Sequence, residues 1–258
     1  MAQQLNLQQI LSKVQAHQKQ VEALREDYAF ESVKTTQQID GDGKVKSAET
    51  EEREQFYVNG HMIGRLVKKN GKPLSVNDQK DEDSHVKDLV EKAQKIRPDE
   101  RLDGRSITVS RVLELVDLRD PRRETYRGRP TFVFDFVGRK DAKTHGMMED
   151  ASKKLQGTVW IDEVDLQVAH LEVLVADTFR VAGGLVASVQ KGSTFRFDQA
   201  PVEHGLWLPV TSETTMQARV LLFKNLREHV VQRDFGYKSF RVDTEQAVNA
   251  EPVSARKQ

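Results

Sequence analysis

Thr131-Phe-Val-Phe-Asp-Phe-Val137 carries a ring at every second position, Phe132, Phe134 and Phe136. Alternate residues of a pleated strand share a face, so the three rings form one stripe. The same period of two continues downstream. Gly157–Asp162 (GTVWID) and Gln167–Ala176 read as a hairpin around Glu163-Val-Asp165, and Leu185–Asp198, Leu206–Phe223 and Leu226–Arg241 read as a meander of long strands.

Upstream of the stripe the period is mixed. Residues 5–26 place Leu7, Ile10, Leu11, Val14, Val21 and Leu24 at helical spacing among Gln and Lys. From Tyr28 the chain turns to strand. Asp40-Gly-Asp-Gly43, Asn59-Gly60 and Asn70-Gly71 are turn signals between three further runs. Residues 75–97 return to helix, with Val86, Leu89, Val90, Ala93 and Ile96 on one face and Lys, Glu, Asp and Gln on the other. Pro98 ends it. Ile107–Leu118 fits a helix by spacing and a strand by β-branching, and both readings stand. The expected fold class is mainly β (α+β): a strongly curved antiparallel sheet or unclosed barrel, an N-terminal helix, and an amphipathic helix inserted between strands. One domain is expected over residues 1–244, followed by a polar tail at 245–258.

Composition excludes several functions. Forty Lys+Arg balance forty Asp+Glu in 258 residues, and no basic run with interleaved aromatics occurs, so nucleic acid is not an expected partner. The longest apolar run, Leu171–Ala176, already contains Glu172 and is far too short to cross a bilayer. The chain has no Cys, which removes disulfides and thiolate metal sites. The start Met1-Ala-Gln-Gln-Leu has no leader pattern. Alone it suits a cytoplasmic chain, yet Ala-Gln-Gln before a helix equally suits a mature exported one.

No catalytic constellation is legible. Asp40–Gly43 with Glu51 imitates a calcium loop, but Lys44 and Val45 occupy positions where a ligand and a glycine are required, so a hairpin turn is expected. Ser188–Lys191 and Ser84–Lys87 match S-x-x-K without the helix start that its chemistry needs. Seven scattered histidines give no pair within a turn, so neither a metal nor any other cofactor is expected.

One resemblance adds to this reading. Glu124-Thr-Tyr-Arg-Gly-Arg-Pro-Thr-Phe-Val-Phe-Asp-Phe136, then GTVWID at 157–162, Lys191-Gly-Ser-Thr-Phe-Arg-Phe197 and Leu206-Trp-Leu-Pro209 resemble segments of outer-membrane lipoprotein-sorting (LolA-like) proteins. The likeness spans roughly residues 28–241. It implies an unclosed β-barrel with helices over its mouth, carrying acyl chains of lipoproteins or lipids through the periplasm, without a cofactor and without catalysis. It implies membrane-bound donor or acceptor proteins as partners, the helix at 75–97 as a lid, and an Arg latch, for which Arg65 is the candidate. By strand parity the cavity wall comprises Phe134, Phe136, Val159, Ile161, Leu171, Val173, Phe195, Phe197, Val220 and Leu222. Which parity faces inward stays open, since a slip of one residue inverts the set. The alternative is an envelope sensor or scaffold of the same fold that binds a protein partner.

Overall fold

A computed structural model describes residues 7–96, 102, 108–181, 187–202, 206–220 and 224–239. The chain runs α1 (Leu7–Leu24), a 3₁₀ turn (Arg25–Asp27), β1 (Tyr28–Ile39), β2 (Val45–Val58), β3 (His61–Lys69), β4 (Lys72–Pro73) and α2 (Val76–Lys95). It continues through α3 (Val109–Glu114), β5 (Val116–Tyr126), β6 (Arg129–Gly138), α4 (Met147–Ser152), β7 (Leu155–Asp162) and β8 (Val168–Val175). It closes with β9 (Phe179–Val181), β10 (Ala187–Val189), β11 (Thr194–Pro201), β12 (Trp207–Val220) and β13 (Lys224–Ser239).

Hairpins assemble most of the sheet. Asn59-Gly60, Asn70-Gly71 and Arg127-Gly128 each place both central residues at positive φ, the backbone whose twist matches two antiparallel strands. The first two are legible as Asn-Gly; the third, with Arg first, is not. All described strands join one antiparallel sheet, ordered β4-β3-β2-β1-β13-β12-β11-β8-β7-β6-β5, with β10 pairing β12 and β9 beside that path. It is not closed. Its first and last long strands pair centrally, Tyr28 opposite Ser239 and Gln38 opposite Glu228.

Both ends of the sheet are protected against further pairing. At one end β4 has two residues, and α2 packs along β3, where Glu82 accepts the Leu66 backbone N–H at 2.7 Å. At the other end β5 carries Arg119, Asp120, Pro121, Arg122 and Arg123, and its pairing with β6 shifts register between Arg119 and Arg122.

Three readings of the sequence change in detail. The ambiguous stretch before residue 118 holds both elements: α3, capped by Thr108 Oγ1 on the Arg111 N–H at 3.2 Å, then β5. The strand expected over 185–198 is two strands, split by a turn at Gln190–Ser193. Both halves pair with β12, Val189 opposite Ala218 and Thr194 opposite Thr215. The short helix α4 has too few residues to show a helical period. The tail expected at 245–258 lies outside the described residues.

Candidate functional site

The register settles the parity of the apolar face. Phe134 stands opposite Val159, Val159 opposite Leu171, and Leu171 opposite Phe197. One step along, Phe136, Gly157, Val173 and Phe195 form a parallel row. Phe132, Ile161 and Val168 form a third. Eight of the ten expected wall residues therefore share one face. Val220 ends β12 opposite Ala187 and its side chain is not described, and Leu222 lies outside the described residues.

Packing divides these rows. Phe134, Phe136, Val159, Ile161 and Leu171 are buried beneath α1 and α3, in one cluster with Val14, Val112, Leu113 and Val116. Val173 and Phe197 are only partly buried at the margin of that cluster, and Phe195 stacks on Phe197 with ring centroids 6.2 Å apart. The rows are thus closed at the β6–β8 end and partly open toward β11. Gly157 lets Phe136 lie flat across β7: a Cβ there would stand 2.7 Å from the Phe136 ring.

The cover is α1, with Ile10, Val14 and Val21 toward the sheet. Gln18 sits among them at 0% exposure, and neither amide atom has a hydrogen-bond partner among the described residues. Polar ties hold α1 in place. Glu22 accepts from the Ser110 N–H at 3.0 Å and the Ser110 hydroxyl at 2.6 Å, and Lys19 meets Glu114 at 2.7 Å. A cleft of about 370 Å³ opens between α1, α3 and β5, lined by Leu11, Gln15, Leu113, Val116, Leu118 and Arg139 among others.

The α2 helix expected as a lid lies elsewhere. Its contacts are with β3 and β2, where Ala93 is buried and Val86, Leu89, Val90 and Ile96 are half-buried. Asn59 of the β2–β3 turn donates to the Ala93 and Ile96 carbonyls, at 3.1 and 2.8 Å, and so ties down the helix end. Arg65 does join sheet and helix, through Asp83 at 2.7 Å, but both side chains are too exposed for that pair to contribute much.

The opposite face of the same strands is polar. Trp160, His170 and Asp198 form a row behind the apolar ones. Tyr126 stacks on His170 at 4.9 Å and donates to Asp198 at 2.5 Å, while His170 Nδ1 meets the same carboxylate at 2.9 Å. Burial opposes the Asp198 charge, but those bonds hold its carboxyl below the usual range; burial and Asp198 push the Tyr126 hydroxyl up to about 12. Among the described residues there is no group of three or more metal-ligating side chains, and no helix long and apolar enough to cross a membrane.

Three of the four motif segments meet at one point. Arg129 donates to Asp162 at 2.5 and 3.0 Å and to Asp165 at 2.7 Å, and lies over the Trp207 ring at 5.4 Å. Trp207 Nε1 donates to Asp165 at 3.0 Å.

The backbone course is similar to that of known proteins. One is an outer membrane lipoprotein-sorting protein domain, so named, from Vibrio parahaemolyticus, with 10% identity, a TM-score of 0.42, and coverage of 92% of this chain and 98% of that one. A second is a DUF1329 family protein from Desulfovibrio piger, with 11% identity, a TM-score of 0.39, and coverage of 90% and 92%. A third is MucB in complex with MucA(peri), with 10% identity, a TM-score of 0.24, and coverage of 87% and 94%. No protein-family model and no curated protein matches the chain.

Proposed function

We propose that the chain is a non-catalytic carrier or receptor for acyl chains of lipids or lipoproteins, working in the periplasm, with α1 as the displaceable cover of its apolar rows. The observation that carries this reading is Gln18: a fully buried amide, without a partner among the described residues, in the seam between α1 and the sheet. A seam built only to be permanent would hold an apolar residue there.

Magnitudes agree. Burying Ile10, Val14 and Val21 contributes about 1.5–3 kcal/mol each, or about 5–9 together. The unpaired amide of Gln18 takes back about 1–3 kcal/mol. An acyl chain of ~14 methylenes gains about 11 kcal/mol on leaving water. The cover is therefore worth about 2–8 kcal/mol, less than the cargo gains, so an acyl chain can displace α1 from the rows. Membrane-bound donor and acceptor proteins would tip that balance.

Strand addition of a protein partner, the natural mode for a scaffold of this shape, is poorly served, because β4 and β5 are both blunted.

The test is native mass spectrometry with lipid extraction on protein purified without detergent. Since the chain has no cysteine, Cys placed at His17 and at exposed Val164, the neighbour of Asp165 whose carbonyl meets the His17 ring at 3.2 Å, can be bridged by a cleavable thiol cross-linker that locks α1 to the β7–β8 turn. Uptake of a fluorescent fatty acid that the cross-linked variant loses and the cleaved variant regains is the expected result. Equal uptake in both states, or none in the parent chain, ends the proposal.

A further inference from the structure

The face that carries the apolar rows becomes polar beyond the end of α1, and among the described residues it holds two half-buried charges that do not pair. Arg25, in the 3₁₀ turn after α1, makes no salt bridge among the described residues. Its one hydrogen bond goes to the neutral side-chain oxygen of Gln199 on β11, and its buried Nε has no partner there. Burial lowers its pKa, an unusual state for a guanidinium. Asp234 of β13 is near enough to feel that charge but makes no ion pair with it. It accepts from Gln232 at 2.9 Å, and burial raises its carboxyl to about 6.

The surroundings form a half-buried recess. Tyr57 of β2 and Tyr237 of β13 are both pushed up by burial, and each senses Arg25 and Asp234. Tyr237 stacks on Phe30 at 4.8 Å and donates to the Pro209 carbonyl at 2.6 Å, so its hydroxyl proton is taken. Glu22, the other carboxylate of α1 that faces Arg25, is bound to Ser110, and Glu26 is exposed. Two charges of opposite sign partly withdrawn from water usually collapse into a pair, because each left alone loses hydration without compensation. Here each is held by a glutamine and kept from the other.

We propose that Arg25 and Asp234 are the two poles of a site for a zwitterionic amphiphile head: the guanidinium takes its phosphate, and the carboxylate takes its ammonium. This rests on the acyl-carrier reading and extends it. The tail occupies the rows beneath α1, and the head stands where α1 ends. A head of phosphoethanolamine type neutralises both poles at once. A purely anionic head leaves Asp234 unpaired, and an uncharged one leaves both.

The experiment measures binding of three single-chain lipids with one tail to the full chain: lysophosphatidylethanolamine, lysophosphatidylglycerol and monoacylglycerol. The expected order is ethanolamine, then glycerol phosphate, then uncharged head, with about tenfold between neighbours. Asp234→Asn should erase the first gap. Arg25→Met should bring lysophosphatidylglycerol to the monoacylglycerol level, lower lysophosphatidylethanolamine about tenfold, and leave monoacylglycerol itself unchanged. Equal affinities in the parent chain, or an order that neither variant alters, overturn the proposal. If none of the three lipids binds, the carrier reading fails separately, and tail-less glycerophosphoethanolamine decides the site. Binding that Asp234→Asn and Arg25→Met abolish keeps the site, with a free small molecule as its ligand; no binding removes it.

Discussion

Arg129 of β6 grips Asp162 of β7 with two hydrogen bonds, of 2.5 and 3.0 Å, at a carboxylate that is 0% exposed. The same carboxylate accepts the backbone N–H groups of Val164 and Asp165 and so shapes the β7–β8 turn. Burial works against the Asp162 charge, but Arg129 and those two N–H groups hold the carboxyl below its ordinary range. Removing one partner of such a pair strands the other. Asp162→Ala should cost about 3 kcal/mol, discounted from the fully buried case because Arg129 is partly exposed. Urea unfolding should show the loss at pH 7. A carboxyl held low stabilises above its unfolded pKa and loses that contribution as pH falls through the folded one, so the gap to the parent chain should shrink in acid.

That grip explains which parts of the fold were legible. Arg129, Asp162 and Trp207 belong to three of the four segments that carry the resemblance, and they converge on one staple between β6, the β7–β8 turn and β12. Short motifs far apart in the chain were readable because each supplies one member of a single contact. The shared face was readable for another reason: a period of two puts Phe134, Val159, Leu171 and Phe197 on one side of the sheet once register is known. Register itself was not readable, because pairing depends on contacts between strands that no single strand encodes. The cover was missed for a similar reason. Both α1 and α2 are amphipathic, and amphipathicity says that a helix has an apolar face without saying which strand it meets. The Arg25–Asp234 recess left no sequence signal at all, since its members are single polar residues drawn from separate elements.

Gln18 gives the most direct test of the seam. Gln18→Leu removes an unpaired buried amide and keeps a similar volume, so the folded state should gain about 1–3 kcal/mol. Differential scanning calorimetry should show a higher Tm, and fatty-acid uptake should slow because the closed state is favoured. A lower Tm would mean that the amide has a role in holding α1.

Glu22 should act in the opposite direction. Its carboxylate holds Ser110 at the first turn of α3, a charge-assisted pair of bonds worth about 1.5–3 kcal/mol. Ser110→Ala removes the shorter of the two. Hydrogen exchange should then quicken in α1 while the amides of β1 and β13 keep their protection. Uniform acceleration would show that α1 does not open separately from the sheet.

Gly157 tests the packing of the rows. A Cβ at this position would stand 1.9 Å from the Glu172 carbonyl oxygen, a backbone atom of β8, as well as against the Phe136 ring. Neither can yield without moving a strand. Gly157→Ala should therefore reach the upper end of the usual cost of overpacking, about 3 kcal/mol, as measured by chemical denaturation.

Asp234 supplies the pH dependence. Its carboxyl is raised to about 6 by burial, with Arg25 and the Gln232 amide acting the other way. The sign is the reverse of that for Asp162. In the folded chain the neutral form is favoured, so this group's contribution is fully present below the unfolded pKa of about 4 and is lost as pH rises through 6. Partial exposure limits the loss to about 1–2 kcal/mol. Asp234→Asn keeps the bond from Gln232 and cannot ionise. It should therefore match the parent chain at pH 4 and exceed it by that amount at pH 8 in urea unfolding. The groups facing Asp234 sharpen the test: Arg25 stays charged throughout, and Tyr57 and Tyr237 stay neutral, so the slope between pH 4 and 8 at this recess belongs to Asp234. A zwitterionic lipid at saturating concentration should reverse the order at pH 8, because its ammonium pairs with the parent carboxylate and finds no charge in the variant.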